Sequence, residues 1–247
     1  MGRERELLPH PGPVDRGPRT GVGASGALRA AIFGINDGLV SNVALIMGFA
    51  GASQPRGLIL LAGLAGLLAG ASSMAAGEYV SVRVQRELLE RLLHIEAHEI
   101  GTDLEAEREE LAEIYRRKGL EDELARAVAD GLMRDPRVAL ETHAREELGL
   151  DPARGLSSPW AAAGASFAMF AVGAVVPLLP FLWVGGRTGA LWSVGLTGAA
   201  LTAVGGLASR LTGRPIAISA ARMLVIGMSA ALVTYLVGAL VGTTVVG

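Results

Sequence analysis

The sequence Leu58-Ile-Leu-Leu-Ala-Gly-Leu-Ala-Gly-Leu-Leu-Ala-Gly70 is apolar and rich in glycine, and it decides the fold. It continues through Ala71-Ser-Ser-Met-Ala-Ala-Gly-Glu78 into a charged helical pattern, with no proline or turn signal between them. The apolar part is long enough to cross a bilayer, and the charged part, from Arg83 onward, belongs in water. The stretch therefore predicts one helix that leaves a membrane and carries acidic side chains into solution.

Charge is distributed very unevenly along the chain. Apolar residues make up 51% of the 247 residues, and charged residues only 19%. Residues 83–155 hold 19 of the 24 acids, whereas residues 158–247 contain no Asp or Glu. Ninety residues without a carboxylate are expected where charge must be kept out of hydrocarbon. Because there is no cysteine, disulfides and thiolate metal sites are excluded.

The hydropathy pattern predicts an all-α membrane protein with five transmembrane helices and a helical module inserted between the second and third. The predicted spans are residues 30–50, 57–82, 160–184, 188–208 and 216–246. The predicted domains are a disordered cytoplasmic tail (1–27), spans one and two (28–82), a cytoplasmic acidic metal-binding domain (83–157) and spans three to five (158–247). Within the module, helix breaks are expected at Gly101-Thr-Asp103, at Gly119 and at Asp135-Pro136.

Arginine placement predicts the orientation. The N-terminal tail and the turn after the fourth span hold most of the arginines that flank the spans, and the two opposite turns carry only Arg56 and Arg187. The positive-inside rule therefore places the N-terminus and the acidic module in the cytoplasm and the C-terminus outside. Three glycine pairs at four-residue spacing predict close helix contacts: Gly34 and Gly38, Gly66 and Gly70, and Gly238 and Gly242.

Two acids, Asp37 and Glu78, lie inside the apolar spans. An intramembrane carboxylate normally faces a cavity or a partner because its burial in hydrocarbon is costly. Asn36 precedes Asp37, and Met74 lies one helical turn before Glu78. The residues predict an ion path lined by Asp37, Met74 and Glu78, with Asn36 beside it. The alternative for Glu78 is an interfacial residue at the end of the second span.

The acidic module contains paired carboxylates. Glu96 and Glu99 are three residues apart, as are Glu107 and Glu110, so each pair shares one helical face. Two such pairs on adjacent helices would form a four-carboxylate pocket, which His143 and Glu147 could complete. These oxygen ligands suit Fe²⁺, Mn²⁺, Mg²⁺ or Ca²⁺, and imidazole shifts the preference toward transition metals. The alternative is a solvated acidic surface.

Two enzymatic signatures are missing from the sequence. The histidines are His10, His94, His98 and His143, and none of the last three follows a glutamate by three residues, as di-iron oxidases require. The sequence contains no Walker A motif, so ATP-driven pumping has no support and a proton gradient is the expected energy source.

Three segments resemble the vacuolar iron transporter family. They are Ala31-Ile-Phe-Gly-Ile-Asn-Asp-Gly-Leu-Val-Ser41, Ala69-Gly-Ala-Ser-Ser-Met-Ala-Ala-Gly-Glu-Tyr-Val-Ser81 and Ala171-Val-Gly-Ala-Val-Val-Pro-Leu-Leu179. The resemblance implies a five-span homodimer that exchanges cytosolic Fe²⁺ for protons along the dimer interface.

By motif, the resemblance gives roles to individual residues. Asp37 and Met74 match the family's ion path, and Glu78 matches a further carboxylate. The paired glutamates and Glu147 match a cytoplasmic metal-binding domain. Plant-type members have methionines where this chain has His143 and Ala144, which implies a shift toward Zn²⁺, Co²⁺ or Mn²⁺.

The sequence thus predicts a divalent metal/proton antiporter, not an enzyme, that exports Fe²⁺ across a prokaryotic plasma membrane, with Mn²⁺ or another transition metal as an alternative cargo. We expect no prosthetic group, with Fe²⁺ or another divalent transition metal bound as substrate. Its predicted partners are the metal ions, protons, the lipid bilayer and a second copy of the chain, with no nucleic acid. The alternatives are a membrane-tethered metal oxidase that uses the acidic module and a metal-sensing scaffold through which nothing crosses.

Overall fold

The computed structural model describes residues 22–147, 149 and 158–245, and this part of the chain contains helices and no strands. The helices are α1 (Val22–Gly51), α2 (Arg56–Thr102), α3 (Leu104–Arg117), α4 (Asp122–Leu132), α5 (Pro136–Glu146), α6 (Pro159–Val175), a 3₁₀ helix (Val176–Leu182), α7 (Gly186–Thr212) and α8 (Ile216–Val245). Five segments are long and apolar enough to span a membrane, which confirms the five predicted spans. Residues 1–21 of the predicted tail (1–27) lie outside the described part of the chain. From Val22 onward the chain belongs to α1.

Helix α2 is uninterrupted over 47 residues, as its sequence predicts. At 1.5 Å per residue it is about 70 Å long, more than twice the thickness of a hydrocarbon core. Its apolar half packs in the transmembrane bundle, whereas Glu96 and Ile100 near its other end are buried among the short helices α3 to α5. One rigid element therefore runs from the bundle into the acidic module.

Helix α1 occupies the centre of the bundle and packs against α2, α6, α7 and α8. Its side chains Leu39, Val43 and Ile46 are fully buried. Because four helices contact α1, Asn42 is buried among them and Asp37 is half-buried. This explains how the first span accommodates an asparagine and an aspartate in an apolar sequence.

Glycine allows the helix backbones around α1 to touch. A Cβ atom on Gly38 would overlap the carbonyl oxygen of Phe170 in α6, and one on Gly173 would overlap that of Ile35 in α1. A Cβ on Gly238 would likewise overlap the backbone of Gly48. The other members of the three predicted pairs also face close neighbours, so all three glycine motifs are packing faces.

The third span departs from a single helix. It is α-helical to Val175 and continues as a 3₁₀ helix that contains Pro177 and Pro180. Neither proline has an N–H to donate, so the α-helical hydrogen-bond pattern cannot continue through this segment. The predicted span 160–184 therefore combines two helix types.

The acidic module has its own small core. Helices α3, α4 and α5 and the end of α2 surround Ile100, Leu111, Ala129, Met133 and Ala139. The predicted breaks are confirmed: Asp103 separates α2 from α3, Gly119 has a φ of 100° after α3, and Asp135 precedes α5.

We predict that Gly38→Ala destabilises the bundle, since its methyl group would collide with the backbone of α6. Overpacking of this kind typically costs about 1–3 kcal/mol. Gly195→Ala in α7 is the matched control, because a Cβ there meets nothing within 4 Å. Thermal unfolding of both variants in detergent checks this, and equal melting temperatures would contradict the close α1–α6 contact.

Candidate metal centre and transmembrane cavity

The turn between α2 and α3 brings the two glutamate pairs together. Asp103 donates its backbone N–H to the carbonyl of Glu99, and its side chain accepts a hydrogen bond of 3.1 Å from the N–H of Ala106. This cap ends α2 and starts α3 within one residue. Glu96 and Glu107, one on each side of the turn, both become buried.

Helix α5 adds an imidazole to these carboxylates. Its start is fixed by Pro136 and by Asp135, which accepts a 2.9 Å hydrogen bond from the N–H of Arg137. The helix packs against α2 and places Nδ1 of His143 2.9 Å from Oε1 of Glu96. The same nitrogen lies 3.6 Å from Oε2 of Glu107 and 3.7 Å from Oε2 of Glu147.

We call Glu96, Glu107, His143 and Glu147 the carboxylate–imidazole cluster. Ligand atoms of Glu96, His143 and Glu147 all lie within 4.8 Å of one another, close enough to bind one metal ion. His143 is 0% exposed, and neither of its ring nitrogens makes a geometrically acceptable hydrogen bond with a described residue. Buried polar atoms normally have partners, so these unpaired nitrogens and Oε1 of Glu96 indicate a site for a ligand.

Burial and mutual repulsion change the acidity of the cluster. Burial, followed by the charges of Glu147 and Glu107, raises the pKa of Glu96 to about 7. Burial and the charges of Glu110 and Glu99 also raise the pKa of Glu107 above its ordinary value. Concentrated negative charge in a poorly solvated site is relieved by protons or by a metal cation.

Arginine pairs with the outer acids of the module and leaves the cluster unpaired. Arg116 contacts Glu109, Glu113 and Asp122, and Arg108 contacts Glu105 and Asp130. Within the described residues, the three glutamates of the cluster have no Lys or Arg at ion-pair distance. A buried carboxylate without a counter-ion is costly, and a divalent cation would remove this cost.

The structure separates the six predicted metal ligands into two groups. The four cluster residues converge, whereas Glu99 and Glu110 are exposed and lie close enough for their charges to act on Glu96. His94 and His98 are exposed on α2. That the six residues bind metal together stays a prediction.

A cavity of about 350 Å³ lies between α1, α2 and α6 within the transmembrane bundle. Its lining includes Asp37, Asn42, Ser73 and Met74. The structure therefore brings together the predicted carboxylate and thioether of the ion path. Gly66 and Gly70 line the same cavity, and a Cβ atom at either position would overlap a neighbouring side chain, Leu45 or Phe170, so these side chains pack directly against the backbone of α2.

Glu78 lies elsewhere. It lines a wider cavity of about 1060 Å³ together with Met74, Gln85 and Ser158, nearer to the acidic module. Met74 borders both cavities, while Asp37 and Glu78 line different ones. Asn36 is half-buried and lines neither of them. The transport roles of these four residues stay predictions.

Sequence reasoning gave no role to Asn42, although the signal was present. An amide inside an apolar span is unusual and normally faces a partner or a cavity. Asn42 is 2% exposed and donates a 2.6 Å hydrogen bond from Nδ2 to the carbonyl of Ala174 in α6. Pro177 and Pro180 were a second unused signal, because prolines three residues apart interrupt helical hydrogen bonding.

Comparison with known proteins gives a consistent result. A family model described as VIT family matches residues 28–239. Vacuolar iron transporter 1 of Oryza sativa subsp. japonica is 37% identical over 212 residues, which cover 84% of this chain and 82% of that protein. A vacuolar iron transporter of Acanthamoeba castellanii is 39% identical over 187 residues, with 75% and 67% covered. Vacuolar iron transporter homolog 1 of Arabidopsis thaliana is 33% identical over 219 residues, with 87% and 84% covered.

We predict that the metal-free protein loses stability as pH rises from about 4.5 to about 7. In this window the folded protein keeps a proton on Glu96 that the unfolded chain has already released, so the free energy of unfolding falls. Glu96→Gln cannot ionise and should flatten the profile. Melting temperatures measured with a chelator at several pH values check this, and identical slopes for both proteins would contradict it.

We also predict that His143→Ala weakens Co²⁺ binding to the full-length protein by about tenfold or more, because a metal ligand is lost. His98→Ala, at an exposed position of α2, is the control and should bind as the wild type does. Calorimetric titration measures the affinity, and the visible spectrum of bound Co²⁺ reports loss of a nitrogen ligand. Equal affinities in both variants would exclude His143 from the site.

Proposed function

We propose, since this chain belongs to the VIT family, that it exports divalent metal ions from the cytosol in exchange for protons, with Fe²⁺ as the principal cargo. Family membership establishes the coarser points: the chain is an integral membrane protein, it transports metal, and its relatives are transporters and not enzymes. The exchange with protons and the direction of transport are the proposal.

One observation supports the proposed metal transport most directly. Helix α2 holds Met74 in the transmembrane cavity and Glu96 in the carboxylate–imidazole cluster, with no break between them. Twenty-two residues separate them, which corresponds to about 33 Å along the helix. The thioether of Met74 is a soft ligand, and the carboxylate of Glu96 is a hard one. With both on one rigid helix, a cation can be captured at the cluster and passed on through the cavity.

The cluster supplies the capture step. Its carboxylates attract cations, and the surrounding acids Glu99 and Glu110 extend the negative potential to the surface. Carboxylate oxygen together with imidazole nitrogen favours Fe²⁺, Mn²⁺ and other transition metals over Mg²⁺ and Ca²⁺. We place this module in the cytoplasm on the arginine distribution, so that it raises the metal concentration next to the bundle.

The cavity supplies the passage step. A cation from the wider cavity at Glu78 would move past Met74, which borders both cavities, to Asp37. A carboxylate that binds a cation must release its proton, so metal and proton compete for the same oxygens. This competition is the basis on which we infer antiport.

We also propose that the functional unit is a homodimer in a prokaryotic plasma membrane, with the C-terminus outside. The cavity at Asp37 is open at the surface of a single chain, and Phe33 on the same helix is 63% exposed. A second copy placed against α1 would close this opening.

A proteoliposome assay checks the proposal. With a metal dye and a pH dye inside the vesicles, the wild type should transport Fe²⁺ while protons move in the opposite direction. Asp37→Ala should reduce that flux on the order of tenfold or more, because the carboxylate of the cavity is removed.

Glu87→Gln is the control for this assay, since Glu87 is an exposed carboxylate paired with Arg83 outside both cavities. It should transport at the wild-type rate. Metal flux without any proton movement would refute antiport, and full activity of Asp37→Ala would remove Asp37 from the path. No metal flux in the wild type would refute transport by the isolated protein.

A further inference from the structure

Asn42 is fixed in position by the proline-broken third span. Its Nδ2 donates to the carbonyl of Ala174, which lies three residues before Pro177. In the 3₁₀ pattern that follows, this carbonyl would accept from the N–H of residue 177, and proline has none. In a membrane span such a freed carbonyl needs a partner from a neighbouring helix, and α1 supplies it.

The same device occurs one turn further along. The carbonyl of Pro177 lies three residues before Pro180 and accepts a 2.7 Å hydrogen bond from Oγ of Ser193 in α7. Ser193 is fully buried. Asn42 and Ser193 therefore make equivalent contacts, each donating to a carbonyl that lies three residues before a proline.

The two side chains differ in the polar atoms that are left after each has donated its hydrogen bond. A serine hydroxyl has one proton, which Ser193 donates. Asn42 has in addition a carbonyl oxygen, Oδ1, which is buried and has no hydrogen-bond partner in the described part of the chain. Because Nδ2 is held by Ala174, the planar amide cannot rotate to give Oδ1 another partner without losing this bond.

The residue that carries this oxygen borders the transmembrane cavity. Asn42 lines the same cavity as Asp37 and Met74. A Cβ atom on Gly66 would lie 3.1 Å from Oδ1 and would overlap Cδ2 of Leu45, so the oxygen lies against the α2 backbone beside the Leu45 side chain. A buried acceptor without a partner is costly unless a hydrogen-bond donor or a cation reaches it.

We propose that Oδ1 of Asn42 binds the transported cation directly, together with the carboxylate of Asp37 and the thioether of Met74. This inference rests on the proposed transport function and adds a third donor to the path. A neutral amide oxygen replaces part of the ion's hydration shell without adding charge, so the ion is held and still released. The third span then positions the ligand through the Ala174 carbonyl.

The test uses full-length protein in proteoliposomes and Fe²⁺ flux at several concentrations. Asn42→Ala removes the oxygen and should raise KM for Fe²⁺ by about tenfold or more. Ser193→Ala removes the equivalent hydrogen bond outside the cavity and should leave KM within about twofold of the wild type. Thermal unfolding of both variants measures how much stability each loses when its interhelical hydrogen bond is removed.

Asn42→Asp separates binding from structure. This variant keeps an oxygen at the cavity, but its ionised carboxylate repels the carbonyl oxygen of Ala174. If Asn42 has only a structural role, the KM for Fe²⁺ should therefore be higher in Asn42→Asp than in Asn42→Ala. A binding role makes its KM lower than that of Asn42→Ala, even if the protein melts earlier. This variant also serves if Asn42→Ala does not fold.

The outcomes are distinct. Raised KM in Asn42→Ala, with rescue by Asn42→Asp, supports the inference. An unchanged KM in Asn42→Ala, an equal rise in Ser193→Ala, or an Asn42→Asp variant worse than Asn42→Ala overturns it while wild-type transport still stands. Absence of wild-type flux contradicts the proposed function itself.

Discussion

The close backbone contact between α1 and α6, at Gly38 and Gly173, is the constraint on which the rest of the structure depends. Lipid tails are as apolar as leucine, so membrane helices associate through tight packing and interhelical hydrogen bonds instead of hydrophobic burial. This contact brings Asn42 within hydrogen-bonding distance of Ala174 and places the polar edge of α1 beside α2. The cavity at Asp37 lies where α1, α2 and α6 meet, and its lining combines glycine and polar residues with Met74 and Phe170.

The acidic module differs from the bundle because charge, and not close backbone packing, dominates its energetics. Its outer carboxylates form ion pairs with Arg108 and Arg116, which contribute little individually because they are exposed to water. Its inner carboxylates have no such partner among the described residues, and burial, followed by neighbouring negative charges, raises the pKa of Glu96 and of Glu107. Ionisation of these two groups in the metal-free protein therefore opposes folding. A bound cation would reverse this effect, and its binding free energy would then contribute to the stability of the module. Placing unpaired charge here gives metal affinity at a cost in metal-free stability.

Much of the fold could be predicted because it follows from local rules. The spans came from hydropathy, and the break at Asp103 came from capping chemistry. Helical spacing gave the two pairs, Glu96 with Glu99 and Glu107 with Glu110, on neighbouring helices. The 3₁₀ segment at Pro177 was missed because hydropathy does not detect a change of helix type. The separation of Glu78 from Asp37 was also missed, since a shared helical face with Met74 does not specify which cavity a side chain enters.

The sequence by itself determined which segments are apolar enough to span a membrane, that α2 continues from an apolar into a charged part, and which residue types are available to bind metal. These properties depend on composition and on contacts within one helix, which the order of residues fixes. Only the tertiary structure decided that His143 is buried beside Glu96, that Glu99 stays exposed, and that Oδ1 of Asn42 has no hydrogen-bond partner among the described residues. Those facts depend on helices far apart in the chain, because burial and hydrogen-bond pairing are set by what the neighbouring helix presents at the point of contact.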